Sequence, residues 1–257
     1  MTAAALAAEL RLLHDAPEPL ILVNVWDVAS ARVVAALPGC TAIATASHSI
    51  AAAHGYDDGE QIPLEVMIDA IARIAAAVDL PVSADLEAGY GDAGTTVRRA
   101  IAAGAVGGNI EDAMAPLDHA VAAVEAVVRA GDAEGVPFVL NARTDVFLQP
   151  GERSPDEVVA EAVRRGRAFL DAGAACVFVP ARLDTVTAAR LVDGIGLRKV
   201  SVIAVPGGAT PSEFGALGVA RVSFGPWTQR AALTALADVG ADLLAGGPLP
   251  AGVRAVS

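Results

Sequence analysis

The sequence predicts an α/β fold in which residues 1–257 form a single (β/α)8 barrel of the TIM type. Apolar runs of four to eight residues alternate with longer helical patterns from end to end. The runs show little polar alternation, so both faces of each strand should be covered by protein, as in a parallel sheet. Eight such runs and eight helices in about 250 residues match the barrel. The competing doubly wound sheet usually carries a phosphate-binding glycine turn, and neither GxGxxG nor GxxxxGK[ST] occurs.

The predicted elements follow one another without a linker or a change in composition. The first is an amphipathic helix within 1–15, capped by Thr2. Clear helical patterns cover 63–78 and 155–173, and a C-terminal helix covers 227–244. A glycine recurs where a helix ends and a strand begins, a position that favours the left-handed conformation. The predicted strands are 20–26, 41–46, 81–86, 107–111, 138–143, 176–180, 200–205 and 221–224.

Composition excludes several classes of partner and chemistry. The 18 basic and 30 acidic residues give a net charge of −12, which repels nucleic acid and anionic membrane surfaces. No apolar run approaches the roughly 18 residues of a membrane span. The stretch 1–15 lacks the basic start of a signal peptide, and two cysteines fit a reducing compartment, so we expect a cytoplasmic protein. The only lysine, Lys199, precedes the seventh strand at the non-catalytic end, which excludes a Schiff-base aldolase.

Acidic residues cluster at predicted strand ends, where barrels of this type place their active sites. Asp85 and Glu87 end the third strand on one face, and Glu111 ends the fourth. These carboxylates would repel one another unless a cation held them. Oxygen ligands without histidine or cysteine at ligand spacing favour Mg²⁺ or Mn²⁺ over zinc. The alternative is that strand-end acids are solvated or paired with arginine, which is the preferred interpretation for Asp57, Asp92 and Asp112.

Arg143 ends the fifth strand at the same mouth. Its planar guanidinium suits a bidentate clamp on a carboxylate or phosphonate, or a salt bridge to a neighbouring acid, and the two roles can coexist. Cysteine and serine nucleophiles are not expected. Cys176 begins a buried strand, Cys40 precedes a strand at the non-catalytic end, and no GxSxG turn is present.

The residues 85–92, DLEAGYGD, resemble the D-x-[DE]-x-G-Y-G metal motif of the isocitrate lyase/phosphoenolpyruvate mutase superfamily. Further blocks resemble the same superfamily in the expected order over about residues 20 to 230. They include a counterpart of its Y-P-D-G-E loop, with Asp58 at the motif aspartate, and counterparts of its I-E-D and N-A-R-T-D sequences. These blocks are 24–27, 45–48, 56–60, 110–112 and 141–145.

The resemblance implies a Mg²⁺-dependent enzyme that makes or breaks a bond next to a 2-oxo carboxylate, through an enolate stabilised on the metal. It also implies a homodimer or homotetramer in which the stretch 227–244 packs on a neighbouring subunit. The site residues it implies are Asp85, Glu87 and Glu111 for the metal, Asp58, Glu111 and Arg143 for catalysis, and Trp26, Thr45, Ser47, His48 and Arg143 for the substrate.

The chain also departs from the superfamily. Its isocitrate and methylisocitrate lyases carry a catalytic cysteine in a K-[KR]-C-G-H loop, but 112–119 reads DAMAPLDH, without cysteine or lysine. The mutase's loop asparagine is not recognisable either. We expect 113–118 to be a mobile cover over the substrate, with His119 either a proton-transfer group or simply the start of the next helix.

The leading functional hypothesis is cleavage of a carbon–carbon bond in a small 2-oxo or 2-hydroxy dicarboxylate, with weak or absent isocitrate cleavage. The nearest alternative is C–P chemistry, as phosphoryl migration or phosphonopyruvate hydrolysis. The third is a barrel that binds a 2-oxo acid with little turnover, an option that the missing cysteine leaves open.

Overall fold

The structure, a computed structural model, describes residues 1–256 and contains one sheet of nine parallel strands. The sheet order is β1-β9-β8-β7-β6-β5-β4-β3-β2. The strands are β1 (Leu20–Leu22), β2 (Asn24–Val25), β3 (Ile43–Thr45), β4 (Val82–Asp85), β5 (Gly107–Glu111), β6 (Val139–Arg143), β7 (Cys176–Val179), β8 (Val200–Ile203) and β9 (Arg221–Ser223).

The first predicted strand, 20–26, is divided at Val23 into β1 and β2. The first piece pairs with β9 and the second with β3, so the two ends of the sheet meet at Val23. The result is a nearly closed barrel with surrounding helices, which confirms the predicted (β/α)8 fold. The strands are shorter than the apolar runs: Ala46 and Ala204 lie just beyond β3 and β8, although their N–H groups still donate to the carbonyls of Val25 and Ser223.

The helices cover the outside and the N-terminal end of the barrel. Their bounds are α1 (Ala3–Asp15), α2 (Val28–Ala35), α3 (Ser47–Ala53), α4 (Leu64–Ala76), α5 (Ala93–Ala102), α6 (Leu117–Ala133), α7 (Pro155–Asp171), α8 (Thr185–Ile195), α9 (Pro211–Ala216) and α10 (Trp227–Leu244). The helix α3 begins at Ser47, so the predicted substrate residues Ser47 and His48 lie in its first turn. Among residues 1–256 no helix has both the length and the apolar character to cross a membrane.

Local signals in the sequence explain where the helices begin and end. Thr2 caps α1 as predicted, and its hydroxyl accepts the N–H of Ala5 at 3.3 Å. Gly104, Gly173 and Gly218 have φ of 99°, 103° and 83° at the helix-to-strand transitions, which confirms the predicted left-handed glycines. Each is followed by a buried strand.

The interior of the barrel contains polar side chains below the catalytic end. The side chain of Arg221 is fully buried, and its Nη1 donates to Ser83 Oγ at 3.0 Å. Asn141 Nδ2 donates to Asn109 Oδ1 at 2.8 Å. The N-terminal end is covered by α1, where Lys199 Nζ lies 3.3 Å from Asp15, so the lysine sits away from the mouth as predicted.

Candidate active site

Three predicted site residues end three neighbouring strands. Asp85 ends β4, Glu111 ends β5 and Arg143 ends β6. Asp85 is level with Asn109, and Glu111 is level with Arg143 in the parallel ladders. Because these strands are adjacent, the three side chains reach the same mouth of the barrel.

Asp85 is oriented by two residues that the sequence analysis assigned to the substrate. Its Oδ2 accepts the backbone N–H of Ser47 at 3.0 Å and the hydroxyl of Ser47 at 2.8 Å. The hydroxyl of Thr45 accepts the N–H of Asp85 at 2.9 Å. The other oxygen, Oδ1, has one long contact, 3.4 Å from Asn109 Nδ2. In this structure Ser47 and Thr45 hold the aspartate and leave Oδ1 with capacity for another partner.

The alternation of side chains predicted Glu87 on the same strand face as Asp85, but Glu87 is not on that face because it lies beyond the end of the strand. The strand β4 ends at Asp85, and Glu87 has a left-handed backbone with φ of 52°. Its buried carboxylate accepts the backbone N–H of Glu60 and, at 3.0 Å, the hydroxyl of Tyr90. Burial raises the pKa of Glu87, and the charges of Asp85 and Asp58 add to the rise although these two hydrogen bonds oppose it.

Arg143 forms the salt bridges that the sequence analysis offered as one of its two roles. Its Nη1 lies 2.6 Å from Glu111 Oε2, and its Nε donates to Asp145 Oδ1 at 2.7 Å. Burial is the main cause that raises the pKa of Glu111 to about 8; the charge of Arg143 opposes the rise, and the charges of Asp145, Asp85 and Glu87 add to it. Within residues 1–256 no protein acceptor is bonded to Arg143 Nη2, so the second role, a substrate clamp, stays a prediction.

Among the described residues, three further predicted ones, His48, Asp58 and Trp26, form no hydrogen bond or ion pair with Asp85, Glu111 or Arg143. His48 Nδ1 is 3.3 Å from Asp58 Oδ2, and both side chains are more than a third exposed. Trp26 lines a surface pocket with His54 and Arg73, and the structure does not join it to Asp85.

The segment after β5 is short and begins at a residue held by hydrogen bonds, and the mobility expected of 113–118 stays a prediction. The helix α6 already begins at Leu117, so four residues connect it to Asp112. Asp112 Oδ1 accepts the N–H of Met114 at 3.1 Å, and Asp112 Oδ2 pairs with Arg165 Nη1 at 3.0 Å. His119 therefore lies in the first turn of α6. The arginine pairing preferred for Asp112 is confirmed.

A cavity of about 190 Å³ adjoins this segment and the ion pair of β5 and β6. Small apolar side chains make up most of its wall, and its charged boundary is the edge nearest the mouth. Residues around it include Glu111, Arg143, Ala113, His119, Ala123 and Phe169. The mouth thus combines a charged centre with an apolar recess.

The donor set fits Mg²⁺ held mainly by one carboxylate. Among residues 1–256 no three His, Cys, Asp or Glu side chains form a ready-made metal cage. Mg²⁺ typically keeps several waters and takes only one or two carboxylates from the protein. Asp85 Oδ1 can supply the direct bond, while Glu87 and Glu111 can hold the waters. Burial is the main cause of their raised pKa values, and neighbouring carboxylates add to the rise, an effect that a bound cation would oppose.

Comparison with known proteins identifies the family. The family model for phosphoenolpyruvate phosphomutase matches residues 10–244. The chain belongs to the phosphoenolpyruvate phosphomutase family. This agrees with the resemblance of the 85–92 motif to the isocitrate lyase/phosphoenolpyruvate mutase superfamily, and the family is one of enzymes that includes lyases and phosphomutases.

Individual members of the family differ in reaction. The phosphoenolpyruvate phosphomutase of Streptomyces hygroscopicus is 31% identical over 249 residues, covering 90% of this chain and 77% of that protein. A protein of known crystal structure from Burkholderia cenocepacia J2315 is 39% identical to this chain and superposes with a TM-score of 0.85. The match covers 91% of this chain and 98% of that chain. An oxaloacetate acetylhydrolase, in a structure with 3,3-difluorooxalacetate, is 25% identical to this chain and superposes with a TM-score of 0.86. The match covers 99% of this chain and 92% of that chain.

Sequence reasoning missed the residues that support the site from a distance. It did not connect Arg165 with Asp112, or Arg221 with the barrel interior. The sequence around Arg165 reads RRGR in an amphipathic helix, where one arginine looks much like the next. Only the burial of Arg165, at 4% exposed, separates it from its neighbours.

Proposed function

We propose that this protein is a Mg²⁺-dependent enzyme that cleaves a carbon–carbon bond in a small 2-oxo or 2-hydroxy dicarboxylate. The observation that carries this proposal is the group formed by Asp85, Glu87 and Glu111 at the barrel mouth, with Arg143 beside it. Hard oxygen donors and one arginine suit a cation and an anionic substrate bound together. When bound, Mg²⁺ would supply Lewis-acid stabilisation of negative charge developing on the 2-oxo group.

The protein's own residues divide the remaining work. Arg143 Nη2 binds the distal anionic group, while Glu111 and Asp145 keep the guanidinium plane in place. Ser47 and Thr45 fix Asp85. Glu111 keeps its predicted catalytic role through its contact with Arg143 and with the waters that a bound Mg²⁺ would carry.

Proton transfer to the released carbon needs a donor other than a loop cysteine, because 112–119 contains none. His48, paired with Asp58 at the mouth, is one group for this role. His119, at the edge of the cavity, is another. Asp58 therefore keeps its predicted catalytic role as the partner of His48.

The alternative function is C–P chemistry on the same centre. The Streptomyces hygroscopicus relative, a phosphoenolpyruvate phosphomutase, supports it. Arg143 suits a phosphonate as well as a carboxylate. The second alternative, a 2-oxo-acid-binding barrel with little catalysis, rests on the missing cysteine.

We also propose a homodimer or homotetramer assembled through α10. Within that helix only Gln229 is buried, while Leu233, Leu236 and Leu244 are exposed. A long apolar helix with so little cover is typical of a subunit interface. A cytoplasmic location fits the free thiols of Cys40 and Cys176, and the net charge of −12 disfavours nucleic acid and membrane partners.

A substrate panel tests the proposal. Oxaloacetate, other 2-oxo and 2-hydroxy dicarboxylates, isocitrate and phosphonopyruvate are incubated with the protein and Mg²⁺, then with EDTA, and the products are followed by NMR. Mg²⁺-dependent cleavage of a dicarboxylate is the expected result. Turnover of phosphonopyruvate alone would establish the alternative. Exchange of the methyl protons of pyruvate for deuterium separates a catalyst from a binder, because only a catalyst forms the enolate.

A further inference from the structure

Arg165 on α7 is a buried arginine that contacts the segment leading into the site. Its Nε donates to Glu161 Oε1 at 2.7 Å. Its Nη1 donates to Asp112 Oδ2 and to the carbonyl of Ala115, both at 3.0 Å. The guanidinium fork thus joins three acceptors on two elements. A buried guanidinium that makes these three hydrogen bonds has a fixed position.

Asp112 links Arg165 to the end of strand β6. Its Oδ1 accepts the N–H of Met114 at 3.1 Å and the N–H of Asp145 at 3.0 Å. The N–H of Asp112 itself donates to the carbonyl of Arg143 at 3.0 Å. One carboxylate therefore fixes the turn before α6 and the backbone on both sides of Thr144.

Asp145 completes the connection to the site. Its Oδ1 accepts Arg143 Nε at 2.7 Å, while Arg143 Nη1 lies 2.6 Å from Glu111. The direction in which Arg143 points its remaining Nη2 depends on where Asp145 is held. That place depends on Asp112, and Asp112 depends on Arg165.

We propose that Arg165 is a positioning residue that sets the orientation of the Arg143 guanidinium through Asp112 and Asp145. The inference rests on the proposed role of Arg143 as the group that binds the distal anion of the substrate. Arg165 touches no substrate itself. Its effect on turnover should therefore pass through Arg143 alone.

The test compares Arg165→Lys with a matched control, Arg164→Lys. Lysine keeps the positive charge beside Asp112 but cannot reach all three acceptors. Arg164 is the adjacent residue and also pairs with Glu161, yet its side chain is 56% exposed. Proton–nitrogen NMR of the arginine Nε groups identifies the Arg143 signal by its loss in Arg143→Lys. Asp112→Asn, which keeps the shape of the side chain, replaces Arg165→Lys if that variant does not fold.

In Arg165→Lys we expect exchange of the Arg143 Nε proton with water to become about tenfold faster, since its bond to Asp145 is no longer held in place. Exchange in Arg164→Lys should match wild type. Exchange of the Nε proton of Arg73, which donates to Asp69 Oδ2 at 2.8 Å within α4 and outside this network, serves as the internal reference. An Arg143 signal that is unchanged in Arg165→Lys would overturn the inference.

Kinetics with the substrate found in the panel supply the second readout. Arg165→Lys should raise KM about tenfold with little change in kcat, and should add nothing to Arg143→Lys in the double variant. Additive losses in the double variant would instead indicate a merely structural role and overturn the inference. If Arg143→Lys alone has no effect, the proposed clamp fails, whatever the exchange rates show about positioning.

Discussion

Arg143 is held by two carboxylates, by Glu111 at Nη1 and by Asp145 at Nε. Replacing it with lysine keeps the charge but removes the planar fork. We expect Arg143→Lys to lower kcat/KM by about 10- to 100-fold, corresponding to the loss of about 1.5–3 kcal/mol from one charged hydrogen bond. Steady-state kinetics on the identified substrate measure this. Kinetics within about twofold of wild type would mean that Arg143 only forms salt bridges.

The two thiols differ in surroundings, but neither belongs to the site. Burial raises the pKa of Cys176 to about 12, and burial also raises the pKa of the half-buried Cys40. Both should react slowly because thiolate is scarce in each. We therefore expect iodoacetamide under native conditions to leave turnover unchanged. Rapid inactivation that substrate prevents would show that a cysteine serves the site after all.

At the scale of elements, α1 carries a buried histidine beneath the barrel. Burial, reinforced by the charge of Arg221, lowers the pKa of His14 from 6.5 to about 4. Arg11 lowers it further, while the bond to the Leu10 carbonyl and the charge of Asp15 oppose the shift. The unfolded chain therefore takes up this proton first as the pH falls, and stability is lost from about pH 6.5 down to about pH 4.

The change that isolates this effect is His14→Gln. Between pH 7 and pH 5 the wild-type protein should lose about 2 kcal/mol more of its unfolding free energy than the variant, since carboxylates titrate in both. Urea denaturation at the two pH values measures the difference. Equal losses in the two proteins would show that His14 is protonated in the folded state.

The sequence predicted the strand ends well and the loops poorly. Asp85, Glu111 and Arg143 were placed correctly because the register of parallel strands follows from their buried runs. The surroundings of Glu87 were not predicted correctly. The position of Glu87 depends on left-handed residues after β4 and on Glu60 from another loop. Such conformations are set by tertiary contacts that periodicity does not encode.

The sequence also failed to predict local structure at two of the helices. The helix α3 was missed because its seven residues are too few to show a helical period. The buried pairing of Arg165 with Asp112, just before the predicted cover 113–118, was not anticipated because it joins residues on two different elements.

At the scale of the whole molecule, α10 carries exposed leucines with no cover in a single chain. Leu233 and Leu236 are 53% and 67% exposed. Replacing both with glutamate should lower the molar mass measured by light scattering, because charge at a buried interface is costly. Leu12→Glu on α1, where the leucine is 72% exposed, is the matched control and should assemble like wild type. A wild-type protein that is monomeric at micromolar concentration would contradict the assembly.

The proposed chemistry depends on a divalent-cation site centred on Asp85, which calorimetric titration of Mg²⁺ into the protein measures without a substrate. The wild-type protein and Asp79→Ala, an exposed aspartate before β4, should bind Mg²⁺ alike. Asp85→Ala should bind none while keeping its circular dichroism and melting temperature, since Asp85 lies at the mouth rather than in the packed layers. Unchanged Mg²⁺ affinity in Asp85→Ala would contradict the site and the chemistry proposed for it.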